Sequence, residues 1–517
     1  MSFFFKIKKF LLDNIIFRKY QTEYLSHLAN NFDLKKNAKN DQFILYEYYP
    51  SWASIIANVY LLLGLKKKHN SKIILYLPIK PSKLKLIFYK FIFNNKLSYF
   101  KILNSFCENK LIIPDYKNNN KKKILSKLKQ FRNKKDVLEF KYENVYVGDL
   151  LYDSYLKEYK TYTLDPFSIE FRNYCLEFCN LLEFWFDLFR KKKIKAVVAS
   201  HPVYENAIPL RISWYFKNKD SFTSAFMFTY RHSEKKRGFE YDLRKRFKNL
   251  TKSEKKKGII LAKKELIKKF KGQNTIDTTY GERIPITQKI RKKDKTISSN
   301  NILIAAHSFS DAPHVFGKFV FEDHYEWLKF LAEQSKNSKY KWYIKIHPYF
   351  YDDEIVYMRK IFKNYSHVSI LSKDTTNQEL INTGIKFVLS VYGSVVYEYA
   401  YFGIPSILAS KNHPYENYNF LKDAGNKNEY KKLISNLDNL KFSYSKKEVY
   451  ENYYIRYFKI NKLLKNYPKV VDKMGSNFQT SLIYKFWLQE FNLKKHKKLI
   501  STYQKYIDSN KYSFEFR

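Results

Sequence analysis

Few glycines and prolines, fewer cysteines and no long apolar run set the first limits on this chain. With 12 Gly and 13 Pro in 517 residues, it is neither collagen-like nor a turn-rich low-complexity sequence. Three cysteines, Cys107, Cys175 and Cys179, make neither a disulfide framework nor a zinc set. Cys175 and Cys179 lie four apart in an apolar helical stretch and read as packing. The compartment reads as reducing and cytoplasmic. The best apolar run, SWASIIANVYLLLGL from Ser51 to Leu65, falls short of the roughly 18–20 residues a membrane span needs. It reads as a buried helix. The N-terminus, MSFFFKIKKFLLDNIIFRKY, lacks the small-residue cleavage site of a signal peptide. It suits either an interfacial amphipathic helix or a helix packed on the first domain.

Acidic residues are also scarce, 49 against 96 basic, for a net charge of +47. Such a charge ordinarily points to nucleic acid, anionic lipid or a phosphorylated substrate. Here Lys excess accompanies abundant Asn, Tyr, Phe and Ile, the bias of an AT-rich genome, and no nucleic-acid-binding signature accompanies it. Phosphate-loop, dinucleotide-fingerprint and serine-hydrolase motifs are missing, as is an Asp-x-Asp metal motif. What is plentiful is core material: 45% hydrophobic and 19% aromatic residues, enough for several domains and against disorder.

Two stretches alternate strand and helix. FILYEY (43–48), SWASIIANVYLLLGLKKK (51–68) and KIILYLP (72–78) make a β-α-β unit, hence a parallel sheet. KLIIPD (110–115), NVYVGDLLYD (144–153), IKAVVASHP (194–202) and SFTSAFMFTY (221–230) read as further strands, and 169–190 as a long helix. A charged, turn-rich linker follows at 290–301. NILIAAH (301–307), KWYIKIHP (341–348), VSIL (368–371), FVLSVYGS (387–394) and IPSILAS (404–410) then alternate with helices. The expected fold is α/β, two doubly wound Rossmann-like domains facing a cleft, with helical extensions. The divisions are a basic N-terminal segment 1–40, a first Rossmann-like domain 41–295 with a Lys-rich helical insert, a second 300–426, and a helical extension 427–517.

Ligands of open α/β sheets bind outside the carboxyl ends of the strands, so the residues there are the site candidates. In the second domain these are His307, Ser308, Lys345, His347 and the Gly393-Ser394 turn. Lys345 and His347 share one face of a strand end and suit a diphosphate. Gly393 and Ser394 open a helix whose N-terminus can take an anion, and Glu398, four residues on, can accept hydrogen bonds from a diol. In the first domain, Asp149, Asp153 and His201 are candidates for the catalytic base, and Arg231 and His232 for the cleft wall.

A strand ending in Lys-x-His-Pro, then Gly-Ser-x-x-x-Glu and Ala-x-x-Gly-x-Pro, resembles the C-terminal half of GT-B glycosyltransferases. The pattern looks most like bacterial capsule polysaccharide synthesis proteins, a group including Kdo transferases and related in pattern to polysialyltransferases. AAHSFSDAPHVFG (305–317) and VGDLLYDSYL (147–156) resemble segments of such proteins, and the likeness covers roughly 140–425. It implies transfer of a sugar, of hexosyl, Kdo or sialyl type, from a nucleotide-sugar donor to a surface glycan or lipid-linked acceptor. It further implies donor phosphate at Lys345, His347 and Ser394, donor nucleoside or sugar at Glu398, no metal or other cofactor, no nucleic acid, and a cytoplasmic protein peripheral to the inner membrane. Tyr392 departs from the pattern, where small residues are frequent. Alternatives on the same scaffold are a teichoic-acid-type polyol-phosphate transferase and a non-catalytic scaffold of a polysaccharide assembly complex. A nucleotide-sugar 2-epimerase is disfavoured because its carboxylate set is not seen.

Overall fold

The computed structural model describes residues 11–32, 34, 41–97, 99–116, 121–225, 228–239, 241–273, 275–277, 300–347, 352–373, 375–459, 480–490 and 493–515. The linker expected at 290–301 and Pro348 fall almost entirely outside them.

The first half contains strands β1 (Gln42–Glu47), β2 (Lys72–Tyr76), β3 (Leu111–Ile112), β4 (Lys141–Tyr142), β5 (Val145–Tyr146), β6 (Lys193–Ala199), β7 (Asp220–Ala225) and β8 (Phe228–Arg231). Six of them form one sheet in the order β3-β2-β1-β6-β7-β8. All its pairs are parallel except β7 with β8. The crossover from β1 to β2 is the helix Trp52–His69. Ser51 caps it by accepting from the Ser54 amide, a contact usually worth about 1 kcal/mol. The helix is apolar nearly all round because the sheet covers one side and the C-terminal helix Leu493–Ile507 the other, as expected for a fully buried helix.

The second half contains β9 (Asn301–Ala305), β10 (Lys341–Lys345), β11 (Val368–Ile370), β12 (Ile385–Ser390), β13 (Ser406–Leu408) and β14 (Leu421–Asp423). They form a wholly parallel sheet, β11-β10-β9-β12-β13-β14. Both sheets are doubly wound, as the alternating pattern implies, and the two-domain α/β architecture of GT-B type is the observed one. In each sheet the strand order reverses once near the centre, between β1 and β6 and between β9 and β12.

Three features differ from the sequence reading. Residues 144–153 are not a strand: β5 covers only Val145–Tyr146, paired antiparallel with β4, and a helix starts at Gly148. An added Cβ there would lie 2.3 Å from the Val137 and Leu138 carbonyl oxygens, so the turn into this helix requires glycine. The stretch 221–230 is two strands, β7 and β8, folded against each other. The C-terminal residues cross back onto the first domain, where Arg231 N–H donates to the Tyr512 carbonyl and Phe514 N–H to the Thr229 carbonyl. Tyr503, Tyr506, Ile507 and Phe514 enter its core.

Candidate functional site between the two sheets

Both central crossover points carry polar side chains that interact across the gap between neighbouring strands. In the first sheet, Glu47 ends β1 and is buried. Its carboxylate accepts from the Ser200 amide at 2.6 Å, the Ser200 hydroxyl at 2.9 Å and Asn206 Nδ2 at 2.5 Å. Burial lifts its pKa to about 7, against the pull of those three donors and of Lys157. Ser200 follows β6, and its Oγ lies 2.8 Å from His201 Nδ1. Since the Ser200 proton is directed at the carboxylate, Oγ must accept the Nδ1 proton. That leaves the His201 lone pair on Nε2. Burial, reinforced by Lys157, lowers the His201 pKa to about 4, so the ring is neutral near pH 7. Glu47, Ser200 and His201 thus form an oriented chain ending in a basic nitrogen.

In the second sheet, His307 follows β9 and its Nε2 lies 3.3 Å from Ser390 Oγ at the end of β12. Burial, with a smaller push from His347, lowers its pKa to about 3. Its ring stacks on His324 with centroids 5.1 Å apart and meets Tyr392 at 4.7 Å. Tyr392 also packs on Phe316 at 4.2 Å and so covers the loop after β9. At Gly393 a Cβ would lie 3.4 Å from the His307 ring. The Gly393 carbonyl accepts from Tyr415 Oη at 3.0 Å, and that hydroxyl accepts from Arg456 at 2.8 Å.

Lys345 ends β10 and donates to the Thr375 carbonyl. Burial lowers its pKa, while Glu398 and Glu379 pull the other way. His347 is half-buried. Its pKa is lowered by burial, with Asp311 opposing and Lys345 assisting. Lys345, His347, Asp311 and His307 are therefore one electrostatic neighbourhood. Lys157 extends it to the first domain, since its charge acts on Glu47, His201 and Asp311. Tyr204 Oη, from the loop after β6, reaches the Ser310 carbonyl at 3.5 Å. The loops that follow β6 and β9 thus meet at Tyr204 and Ser310.

Other candidates are placed differently. The Ser308 hydroxyl donates to Glu354 at 2.7 Å, and the same carboxylate accepts from the Phe309 amide at 2.6 Å. Ser308 thus pins the loop after β9. Ser394 is exposed and its hydroxyl does not cap the helix Val395–Tyr401. Glu398, expected to bind the donor nucleoside or sugar, is buried and acts on Lys345. It pairs with Lys269 at 3.1 Å and accepts from Asn377 at 3.1 Å. Lys269 comes from the Lys-rich helix Lys252–Phe270 and also holds Asp277 and the Tyr397 hydroxyl.

Asp149 and Asp153 do not stand at the end of a main-sheet strand, but Asp153 shares the surroundings of Tyr204, Tyr392 and Asp311, since its charge acts on both tyrosines as that of Asp311 does. The helix carrying them leaves the β4–β5 hairpin rather than the main sheet. Asp149 pairs with the buried Arg211 at 2.7 Å. Asp153 is buried and pairs with His314 Nδ1 at 2.5 Å, across the domain boundary. Arg231 is held by Asp220, and His232 Nε2 lies 2.7 Å from Thr223 Oγ1, so neither lines the cleft. Glu47, Ser200, Lys157, Asp311 and Arg456 were not among the candidates. Glu47 alone left a signal, a carboxylate closing the apolar run FILYE. Among the described residues, no group of three or more His, Cys, Asp or Glu is placed to hold a metal ion.

The chain is thus an α/β protein of two doubly wound, Rossmann-like domains, the first with an oriented histidine at a strand end and the second with a Lys-His pair at another. No protein-family model matches the chain, and no curated protein matches it in sequence. Among solved structures, it is similar to the beta Kdo 2,4 transferase KpsC of Thermosulfurimonas dismutans, at 12% identity and TM-score 0.34, covering 50% of this chain and 79% of that one. It is also similar to a glycosyltransferase of Rickettsia africae, at 11% identity and TM-score 0.27, covering 84% and 99%. A UDP-GlcNAc 2-epimerase of Neisseria meningitidis aligns at 12% identity and TM-score 0.22, covering 79% and 97%. Superpositions this loose leave function to be argued from the cleft itself.

Proposed function

We propose that the protein transfers a sugar from a nucleotide-sugar donor to a glycan or lipid-linked acceptor of the surface-polysaccharide kind. The observation that carries this reading is the Glu47–Ser200–His201 chain, and the reading sets it opposite the Lys345–His347 pair, with Lys157 acting on both sides. His201 Nε2 takes the proton of the acceptor hydroxyl. The acceptor oxygen bonds to the anomeric carbon as the bond from that carbon to the donor phosphate breaks. The nucleoside diphosphate departs with the electron pair. Lys345 supplies positive charge and His347 a hydrogen-bond donor to the departing diphosphate, and the glycine at 393 lets it approach the backbone. Ordering the diphosphate requires Lys345 to exchange the Thr375 carbonyl for a phosphate oxygen.

The test is calorimetric titration with CMP-, UDP- and GDP-sugars. One of them binds the native protein, and Lys345→Ala and His347→Ala each weaken it by about tenfold or more, the scale of one lost charge-assisted hydrogen bond, without lowering the melting temperature. Undiminished affinity in both variants removes the donor assignment. Mass spectrometry of the product separates sugar transfer from polyol-phosphate transfer.

A further inference from the structure

The helix Lys83–Asn94 (KLKLIFYKFIFN), which follows β2, is apolar on two opposite sides. Its inner side, Tyr89, Ile92 and Phe93, packs on the first domain. Its outer side carries Leu84, Ile87, Phe88 and Phe91, spaced i, i+3, i+4, i+7, with 82%, 66%, 50% and 54% of each surface exposed. A helix on a water-soluble surface keeps polar residues there, and a contiguous exposed stripe of this kind marks a docking face. Lys83, Lys85 and Lys90 are exposed beside it, and residues 48–107 contain no Asp or Glu.

A second exposed apolar cluster lies nearby, at Leu11, Ile15 and Ile16. Between them, Asp13 turns inward, accepting from Trp52 Nε1 at 2.8 Å and from the Ser481 amide at 2.6 Å. Trp52 packs on Tyr99 at 4.2 Å, and Tyr48 meets both Tyr99, at 6.4 Å, and Tyr89 of the helix, at 5.8 Å. Both apolar clusters therefore rest on one aromatic layer. Its member Tyr48 directly follows Glu47, and Tyr49 stands edge-on to His201 at 5.6 Å.

We propose that this face, led by Leu84, Ile87, Phe88 and Phe91, docks the protein on an anionic lipid surface beside the His201 mouth of the cleft. Apolar side chains enter the headgroup boundary while the flanking lysines meet lipid phosphates. The flanking Lys83, Lys85 and Lys90 favour an anionic bilayer over a second copy of this chain, whose own lysines repel them. The docking stands on the exposed face alone. Its use, presenting a lipid-linked acceptor to His201, rests on the transfer reading above. Among the described residues no helix is long and apolar enough to cross a membrane, so this is surface attachment.

The experiment is co-flotation with vesicles of phosphatidylcholine alone and of phosphatidylcholine with a third phosphatidylglycerol. Native protein floats with the anionic vesicles and is released by high salt. L84E/I87E/F91E loses binding by about tenfold or more, and K83E/K85E/K90E loses the preference for anionic lipid. All six positions are exposed, so both variants fold, which circular dichroism checks. Native protein that stays off anionic vesicles overturns the proposal, as does a triple variant that still floats. Light scattering that shows a native dimer dissolved by L84E/I87E/F91E, with vesicle binding intact, also overturns it, in favour of self-association. Nucleotide-sugar titration of the same variants keeps the two readings apart: lost flotation with intact donor binding belongs to docking, and absent donor binding in every form belongs to the transfer reading.

Discussion

Replacing His201 by alanine is expected to lower turnover by about 10²–10⁴-fold, the usual contribution of a positioned general base, with donor affinity and melting temperature unchanged. The expectation follows from the tautomer. Glu47 accepts the Ser200 proton, Ser200 accepts the Nδ1 proton, and Nε2 is left basic. The same chain predicts the pH profile. Below about pH 7 the Glu47 carboxyl becomes protonated and donates to Ser200. The serine then turns its hydroxyl toward Nδ1, and the ring proton moves to Nε2. Turnover therefore falls as pH drops through about 7, although His201 itself titrates near 4. In Glu47→Gln the rate is low at every pH and that acid limb disappears. Steady-state rates across pH check both points. Native-like turnover in His201→Ala, or an acid limb that survives in Glu47→Gln, removes the relay.

Asp153→Ala is expected to cost about 3–5 kcal/mol of stability, the penalty for leaving one member of a buried ion pair without its partner. Asp153 accepts from both the His314 side chain and its amide, and His314 Nε2 faces the Glu322 carbonyl at 2.9 Å. A carboxylate and a carbonyl only accept, so both ring nitrogens carry protons and His314 is an imidazolium. Burial acts against both charges, pushing the Asp153 carboxyl up and the imidazole down. At His314 the neighbouring carboxylate prevails and holds its pKa above the ordinary value. A raised histidine contributes stability fully below about pH 6.5 and loses it as pH climbs through the folded value. Native protein should become easier to unfold in urea between neutral and alkaline pH, and Asp153→Ala should lack that slope. Asp153→Leu with His314→Phe should recover most of the loss, because no buried charge remains unpaired. A cost under about 1 kcal/mol for Asp153→Ala would place the pair in the range of solvated surface bridges.

The neighbours of Asp153 were not legible from strand ends. Tyr152 and Thr163 both donate to Asp323, at 2.6 and 2.5 Å, and Lys134 reaches Glu326 at 2.6 Å. Helix Gly148–Tyr159 and its surroundings form the seam between the domains. A Gly-Asp pair after an apolar stretch looks the same in sequence whether the stretch is a central parallel strand or an edge hairpin. The partners of Asp149 and Asp153 are Arg211 and His314, 62 and 161 residues away, and no local pattern records them. Glu398 shows the same limit. Helical spacing puts it on the Ser394 face, but only the fold shows that Lys269 from a distant helix covers it.

The chain by itself determined most of the parallel strands and their helices, the doubly wound class, and the strand ends at which His201, His307, Lys345, His347 and Gly393 stand. These follow from hydrophobic periodicity and turn chemistry, which act over a few residues. Only the tertiary structure decided which of those groups meet. Glu47 and Ser200 become partners because β1 and β6 are neighbours at the crossover, and their 153-residue separation hides this from any local reading. Whether a carboxylate is a base, an interdomain ion pair or a packing partner depends on which distant donors reach it and how much water remains. Both are set only when the two sheets close on one another.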